Sequence, residues 1–128
     1  MSVTPPLLVW IPGPVRSVQS GGHGHWTARA GVVKAQRTKA HLLVSAARAK
    51  AGWLVGSDVP KIVTFAASVH NLMDDENLAY ALKPTRDGLR DAGIIHDDSP
   101  RSGHVFHYVQ EIDRKRPGVM VRVEPAGG

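Results

Sequence analysis

Two short acidic stretches are the best candidates in this chain for a chemical role. Asp74, Asp75 and Glu76 are consecutive, and Asp97 and Asp98 form a second pair further along the chain. Clustered carboxylates repel one another, and a divalent cation relieves that repulsion. Mg²⁺ takes oxygen ligands, commonly one or two carboxylates with water and substrate phosphate. The stretches therefore predict a metal site if the chain folds back between them; the alternative is ordinary acidity at a helix start.

The net charge of +5 is distributed unevenly around these acidic stretches. Residues 1–57 contain basic side chains and no acidic one, and residues 58–100 hold eight acids against four bases. This distribution suits a polyanion held against a metal-binding centre. Charge alone is equally compatible with a basic protein that has no such partner.

Length and composition predict the class of protein. The 128 residues fit one domain with a single hydrophobic core, spanning 1–128. We expect no membrane partner, because no apolar run is long enough for a span and no signal-peptide pattern opens the chain. Cysteine is absent, which excludes disulfides and thiolate metal sites and favours a cytoplasmic location. No phosphate-binding P-loop pattern occurs, so no nucleotide cofactor is expected.

Hydrophobic periodicity predicts an α+β domain in the order strand, helix, strand, helix, strand, strand. We expect a small mixed sheet with two helices, in which the last two strands form a C-terminal hairpin. A glycine-rich loop and a short tail are expected to be flexible. The predicted strands are 7–11, 61–69, 104–112 and 119–123, the helices 27–49 and 77–92, the loop 12–26 and the tail 125–128.

The ends and interior of the two helices carry specific signals. Thr27 is the expected cap of the first helix and Asn77 that of the second. Gly93 is expected to end the second helix. Pro84 lacks a backbone N–H, so it predicts either a kink or a short turn followed by a helix that begins at Pro84.

The first helix has an apolar and a basic side on a helical wheel. We expect the apolar side to pack on the core, with Lys39 extending from it to solvent. The basic side is either a solvated surface or a surface that follows phosphates; the absence of acidic residues on this helix favours phosphates. The apolar side comprises Val32, Ala35, Leu42, Leu43 and Ala46, and the basic side Lys34, Arg37, His41 and Arg48.

Four histidines lie in the glycine-rich loop or beside the acidic stretches. His23 and His25 form an H-x-H pattern in the glycine-rich loop, which without a third ligand is a weak signal for zinc. His70 and His96 flank the acidic stretches. We expect them to be neighbours of a metal site rather than ligands, because Mg²⁺ disfavours imidazole.

Several segments together resemble the RusA-like Holliday-junction resolvase family of crossover junction endodeoxyribonucleases. These are small nucleases often carried by phages and prophages. The resemblance covers most of the chain, and its acidic–lysine–acidic part is the most specific. The matching segments are Asp74-Asp-Glu-Asn-Leu78, Lys83-Pro-Thr-Arg-Asp87-Gly-Leu89, Ala92-Gly-Ile-Ile-His-Asp97-Asp98, Ile11-Pro12 and His25-Trp26-Thr-Ala-Arg29.

The resemblance implies a catalytic set. Asp74, Glu76 and Asp98 would be the metal-binding carboxylates, with Asp97 as a second-rank ligand. Lys83 would be the cation near the scissile phosphate. The sequence departs from the family at Glu76, where the pattern has Asp, and in a longer stretch before Lys83. The implied cofactor is Mg²⁺, with Mn²⁺ as a substitute.

The resemblance also implies partners. The family acts as homodimers that cut branched DNA, typically a four-way junction, by paired phosphodiester nicks in recombination and repair. Such a protein would work in a bacterial or phage-infected cell. The side chains expected to hold the DNA backbone are Arg29, Lys34, Arg37, His41, Arg48, Arg101, Arg114, Lys115 and Arg116.

Three alternatives remain open at the level of sequence. The first is a nuclease that acts on other branched or single-stranded DNA. The second is a junction- or DNA-binding protein with an impaired metal site, of which Glu76 would be the first sign. The third is a basic α/β domain with an acidic surface turn.

Overall fold

The predicted α+β class and the predicted order of elements are confirmed in a computed structural model, which describes residues 4–15 and 26–127. A 3-10 helix, Pro100–Ser102, precedes the third strand. Within the described residues, no helix is long and apolar enough to cross a membrane. The elements are β1 (Leu7–Pro12), α1 (Trp26–Ala51), β2 (Lys61–Val69), α2 (Asp75–Asp91), β3 (Val105–Ile112) and β4 (Gly118–Pro125).

The four strands form one mixed sheet in the order β1-β4-β2-β3. β2 and β3 are parallel and are connected through α2, and β4 runs antiparallel to both β1 and β2. The expected direct pairing of the last two strands is therefore wrong, because β2 lies between them. Val119, Val121 and Val123 of β4 are buried, as expected for a strand in the centre of the sheet rather than at its edge.

The core lies between one face of the sheet and the two helices. Alternate residues of β1, β2 and β4 face the helices, which is why these strands read as buried–exposed alternations. Fully burying a large aliphatic side chain contributes about 1.5–3 kcal/mol. The helices complete the core with Ala40, Val44, Leu78, Leu82 and Leu89.

The predicted core-facing side of α1 is wrong except for Leu43, which packs against the core. Val32 is 48% exposed and Leu42 is 62% exposed, whereas Ala40 and Val44 are fully buried. The reason is a close approach of the two helices: a Cβ atom on Gly88 of α2 would lie 2.6 Å from the Cβ of Ala40. Ala40 of α1 therefore packs closely against α2, while Val32 and Leu42 face outward.

Two residues of the predicted basic side of α1 instead hold the helices together. The guanidinium of Arg37 donates from Nε and NH2 to the carboxylate of Asp91, at 2.6 and 2.8 Å. This bidentate pair raises the pKa of Arg37 and lowers the pKa of Asp91. Arg48 donates to the backbone carbonyls of Trp53 and Ala92, at 3.2 and 3.0 Å.

Helix α2 begins earlier than predicted and runs without interruption. Its N-cap is Asp74 rather than Asn77, and the Asp74 side chain accepts from the Asn77 backbone N–H. Pro84 lies inside the continuous helix, so the alternative of a new helix starting there is wrong. Gly93 ends α2 as predicted: it has φ 77°, and the next amide, that of Ile94, donates to the Leu89 carbonyl at 3.0 Å.

Candidate nucleic-acid and metal-binding site

The acidic cluster, defined as Asp74, Asp75 and Glu76, lies at the start of α2, just beyond the end of β2. All three side chains are exposed. Oδ1 of Asp74 accepts from the backbone N–H of Asn77 at 2.8 Å, and Oδ2 accepts from the Asn77 side-chain amide at 3.0 Å. These two hydrogen bonds hold the Asp74 carboxylate in one orientation. Because a carboxylate has about four lone-pair positions, Asp74 can still accept further bonds.

Gln110 fixes the backbone that enters the acidic cluster. The residue before the cluster, Met73, donates its N–H to Gln110 Oε1 at 3.0 Å, and its carbonyl accepts from Gln110 Nε2 at 2.6 Å. Gln110 belongs to the edge strand β3, so this double hydrogen bond ties the loop to the sheet. Sequence reasoning missed Gln110, because one amide on an edge strand has no distinctive spacing.

The basic turn, defined as Arg114, Lys115 and Arg116, lies at the same end of the sheet. It follows β3, and the carboxylate of Asp113 fixes it by accepting from the backbone N–H groups of Lys115 and Arg116, both at 3.1 Å. Arg114 Nε donates to the carbonyl of His70 at 3.2 Å, in the loop that leads to the acidic cluster. The basic turn therefore lies at the same end of the sheet as the acidic cluster, with Arg114 bound to the loop between β2 and α2 and Arg116 4.7 Å from the centre of the Trp10 ring.

Asp98 lies elsewhere, against the middle of α2. Its carboxylate is 3.8 Å from Lys83 Nζ, 3.3 Å from Arg86 NH2 and 3.9 Å from Arg90 NH1. We call Lys83, Arg86 and Arg90 the basic row. Lys83 Nζ also lies 3.4 Å from the carboxylate of Asp87, one turn along the helix. Asp98 is thus surrounded by positive charge.

The distance along α2 separates Asp98 from the acidic cluster. Arg86, which contacts Asp98, lies about 18 Å along the helix axis from Asp74, at ~1.5 Å per residue. Ligand oxygens of Mg²⁺ lie about 2.1 Å from the ion, so these two carboxylates cannot share one ion as they are placed. Within residues 4–15 and 26–127, no three His, Cys, Asp or Glu side chains are grouped to hold a metal.

The topology explains this separation. The chain does fold back after Gly93, as the metal-site prediction required. Because β2 and β3 are parallel, the returning chain must reach the start of β3, which lies beside the start of β2. The acidic cluster follows the other end of β2.

Asp97 has a local structural role. Its carboxylate accepts from the backbone N–H and the hydroxyl of Ser99, at 3.0 and 2.7 Å, and these hydrogen bonds lower the pKa of Asp97. The turn they form leads into the 3-10 helix before β3.

The histidines next to this turn contact each other rather than the acidic cluster. His96 Nδ1 lies 2.9 Å from the Ser57 carbonyl and 3.3 Å from His104 Nε2. His104 is buried and accepts at Nδ1 from the Lys61 backbone N–H at 3.1 Å. Burial, followed by the nearby charge of Lys61, lowers the pKa of His104. His23 and His25 lie outside the described residues.

The remaining predicted DNA contacts are dispersed. Lys34 and Arg101 are exposed, the second on the 3-10 helix, and His41 is half-buried on α1. Arg29 lies on α1, but its side chain is outside the described part of the chain. Arg37 and Arg48 are occupied by the contacts with α2 described above.

Sequence reasoning missed two basic residues that lie close to Asp98, Arg86 and Arg90. The guanidinium of Arg86 lies 5.1 Å from the centre of the Phe106 ring and donates to the Tyr108 hydroxyl at 2.9 Å. Burial raises the pKa of Tyr108. The spacing of Lys83, Arg86 and Arg90 at i, i+3 and i+7 was the available signal, since it places all three on one helix face.

Comparison with known proteins finds an uncharacterized relative and does not show a family. No protein-family model matches the sequence. The chain is 30% identical over 92 residues to an uncharacterized protein of Xylella fastidiosa (strain Temecula1 / ATCC 700964). The match covers 68% of this chain and 58% of the relative, so this chain spans less than two thirds of the relative's length.

Proposed function

We propose that this protein is a Mg²⁺-dependent, structure-selective DNA endonuclease that resolves four-way junctions by paired nicks in recombination or repair. The observation that carries the proposal is the exposed acidic cluster beside the basic turn at one end of the sheet. The resemblance of the acidic–lysine–acidic pattern to RusA-like resolvases supports the same reading. The proposed location is the cytoplasm of a bacterial or phage-infected cell.

The proposed Mg²⁺ site is the acidic cluster, which would hold a partly hydrated ion. Asp74, the N-cap of α2, and Glu76, in its first turn, are exposed carboxylates. Mg²⁺ is usually held by one or two carboxylates, with water and substrate phosphate completing the shell. Asp97 and Asp98, as they are placed, do not fit the same ion. When bound, the metal would activate a water molecule and neutralise phosphate charge, with Mn²⁺ as a substitute.

The protein's own residues orient the substrate around this cluster. The basic turn offers three cations to the DNA backbone, and such contacts position DNA without reading its sequence. Gln110 and the Asn77 amide hold Met73 and Asp74 in place, which limits the motion of the proposed metal-binding carboxylates. A homodimer would supply two such sites, as two symmetric nicks in a four-way junction require.

A nicking assay tests this proposal. An end-labelled four-way junction and a linear duplex of the same sequence are incubated with the protein in Mg²⁺, in Mn²⁺ and in EDTA. We expect paired nicks on the junction in both metals, and none on the duplex or in EDTA. Cleavage of the duplex at the same rate, or cleavage in EDTA, would contradict the proposal.

A second candidate function is junction binding without cleavage. The placement of Asp98 in the basic row, away from the acidic cluster, favours it, because a resolvase of the resembled type would use both. Tight junction binding with no cleavage in either metal would support this alternative. The next variant would then be Glu76→Asp, which restores the side chain of the family pattern; recovery of cleavage would identify Glu76 as the cause.

A further inference from the structure

We infer that Lys83, Arg86 and Arg90 form a binding site for the phosphates of a nucleic-acid strand, with Asp98 as the counter-ion that occupies it when no strand is bound. The inference rests on the proposed function only in taking DNA as the polyanion. It requires neither a metal nor cleavage.

The geometry of the basic row suits a strand backbone. Its three residues lie on one face of α2, and Lys83 and Arg90 are separated by about 10 Å along the helix axis, at ~1.5 Å per residue. A strand of B-DNA carries one phosphate per ~3.4 Å of axis, so the row spans about three phosphates. The side chains of Lys83 and Arg90 are 49% and 39% exposed, so their charged ends are accessible.

Arg86 is already oriented at the centre of the row. Its contact with Phe106 and its hydrogen bond to Tyr108 fix the guanidinium before any ligand arrives. Its side chain is 22% exposed, and its Nε is buried with no hydrogen-bond partner. A fixed guanidinium loses little side-chain entropy when it binds a phosphate.

The contacts of Asp98 are those of a replaceable counter-ion. Charge-assisted hydrogen bonds have lengths of about 2.7–2.9 Å, whereas the three cations lie 3.3 to 3.9 Å from the Asp98 carboxylate. One carboxylate therefore faces three cations without a tight bond to any of them. Several phosphates of a strand would offer more acceptor oxygens and more negative charge.

Binding measurements in EDTA separate this role of Asp98 from metal binding. Fluorescence anisotropy gives the affinity for a labelled four-way junction and for a labelled single strand over a range of salt concentrations. Lys83→Gln and Arg90→Gln should each weaken binding and reduce the slope of log K against log salt by about one. Asp98→Asn should strengthen binding and steepen the slope, because it frees cations for the strand.

Arg122→Gln is the matched control, because it removes the same charge from an exposed side chain on β4 that pairs with Glu124. It should bind like the wild type. Circular dichroism confirms the fold of each variant. The inference is overturned if the Lys83 and Arg90 variants bind like the Arg122 variant, if Asp98→Asn binds no more tightly than the wild type, or if the wild type does not bind DNA.

Nicking of the junction in Mg²⁺, measured on the same samples, keeps this inference distinct from the proposed function. If the Lys83 and Arg90 variants lose affinity and the wild type does not nick the junction, the phosphate site is supported and the proposed endonuclease function is contradicted. Nicking by the wild type, with unchanged affinity in the Lys83 and Arg90 variants, supports the endonuclease and overturns the phosphate site.

Discussion

Gly88→Ala tests the close packing of α1 against α2, which decides which side of α1 faces outward. A Cβ at this position would lie 2.6 Å from the Cβ of Ala40, 2.8 Å from the Arg37 carbonyl oxygen and 3.0 Å from the His41 nitrogen. Optimal carbon contacts are about 3.5–4.0 Å. Two of the three atoms belong to the α1 backbone and cannot rotate away, so the helices would have to separate.

The expected cost follows from two opposing effects. Overpacking a tight contact costs about 1–3 kcal/mol. Replacing a helical glycine with alanine regains about 0.5–1 kcal/mol, because the unfolded chain has less freedom to lose. We therefore expect Gly88→Ala to lower the free energy of unfolding by about 1–2 kcal/mol. The melting temperature would fall by several degrees in a domain of this size.

Gly31→Ala is the matched control, because it removes another glycine from a helix interior. No heavy atom lies within 4 Å of a Cβ added at Gly31. This variant should be more stable than the wild type by about 0.5–1 kcal/mol. Urea unfolding followed by circular dichroism measures both variants. Equal stabilisation by Gly31→Ala and Gly88→Ala would refute the described packing of the helices.

Three further predictions concern single contacts. Asp91→Asn should lower the free energy of unfolding by up to about 1 kcal/mol at neutral pH. Because Arg37 lowers the folded-state pKa of Asp91, this contribution is present above the ordinary carboxyl pKa and is lost as the pH falls through the folded-state pKa. In urea unfolding, the wild type and the variant should therefore differ in stability at neutral pH and become equally stable at acid pH. A difference in stability that does not change with pH would argue against the ion pair. Burial lowers the folded-state pKa of His104, so its unfolded form protonates first and stability should fall as the pH drops through the ordinary histidine value of about 6.5. His104→Gln should flatten that part of the pH dependence in the same measurement, and an unchanged profile would count against burial of the imidazole. Gln110→Ala should speed hydrogen exchange of the Met73 amide, while exchange in α1 stays unchanged; unaltered protection at Met73 would argue against the double hydrogen bond.

Local signals in the sequence predicted the elements whose patterns are self-contained. β2 has the predicted bounds, 61–69, and buried and half-buried residues alternate over 61–67, a local pattern that needs no knowledge of the rest of the chain. Gly93 ended α2 as expected, because a left-handed residue after a helix favours glycine. The prediction of Asn77 as the cap was wrong because α2 begins at Asp75, two residues before Asn77, with Asp74 as its N-cap.

Contacts between distant segments decided what the sequence could not predict. α1 is rich in alanine, so its wheel has two sides that could face the core. The choice depends on Gly88 and Asp91, which lie far along the chain on α2. The position of β4 between β1 and β2 likewise depends on pairing between strands distant in sequence. The same topology places Asp98 away from the acidic cluster, although the two lie close in sequence.

Nicking of a four-way junction by Asp74→Asn in Mg²⁺ is the most direct test of the proposed catalytic role of the acidic cluster. Asparagine caps a helix as well as aspartate does, so this change removes the carboxylate charge and keeps the start of α2. Glu111→Gln, at an exposed position on β3, is the charge-matched control. We predict that Asp74→Asn binds the junction and melts like the wild type but cuts no faster than the wild type in EDTA, while Glu111→Gln cuts normally. Cleavage by Asp74→Asn at the wild-type rate would contradict the account.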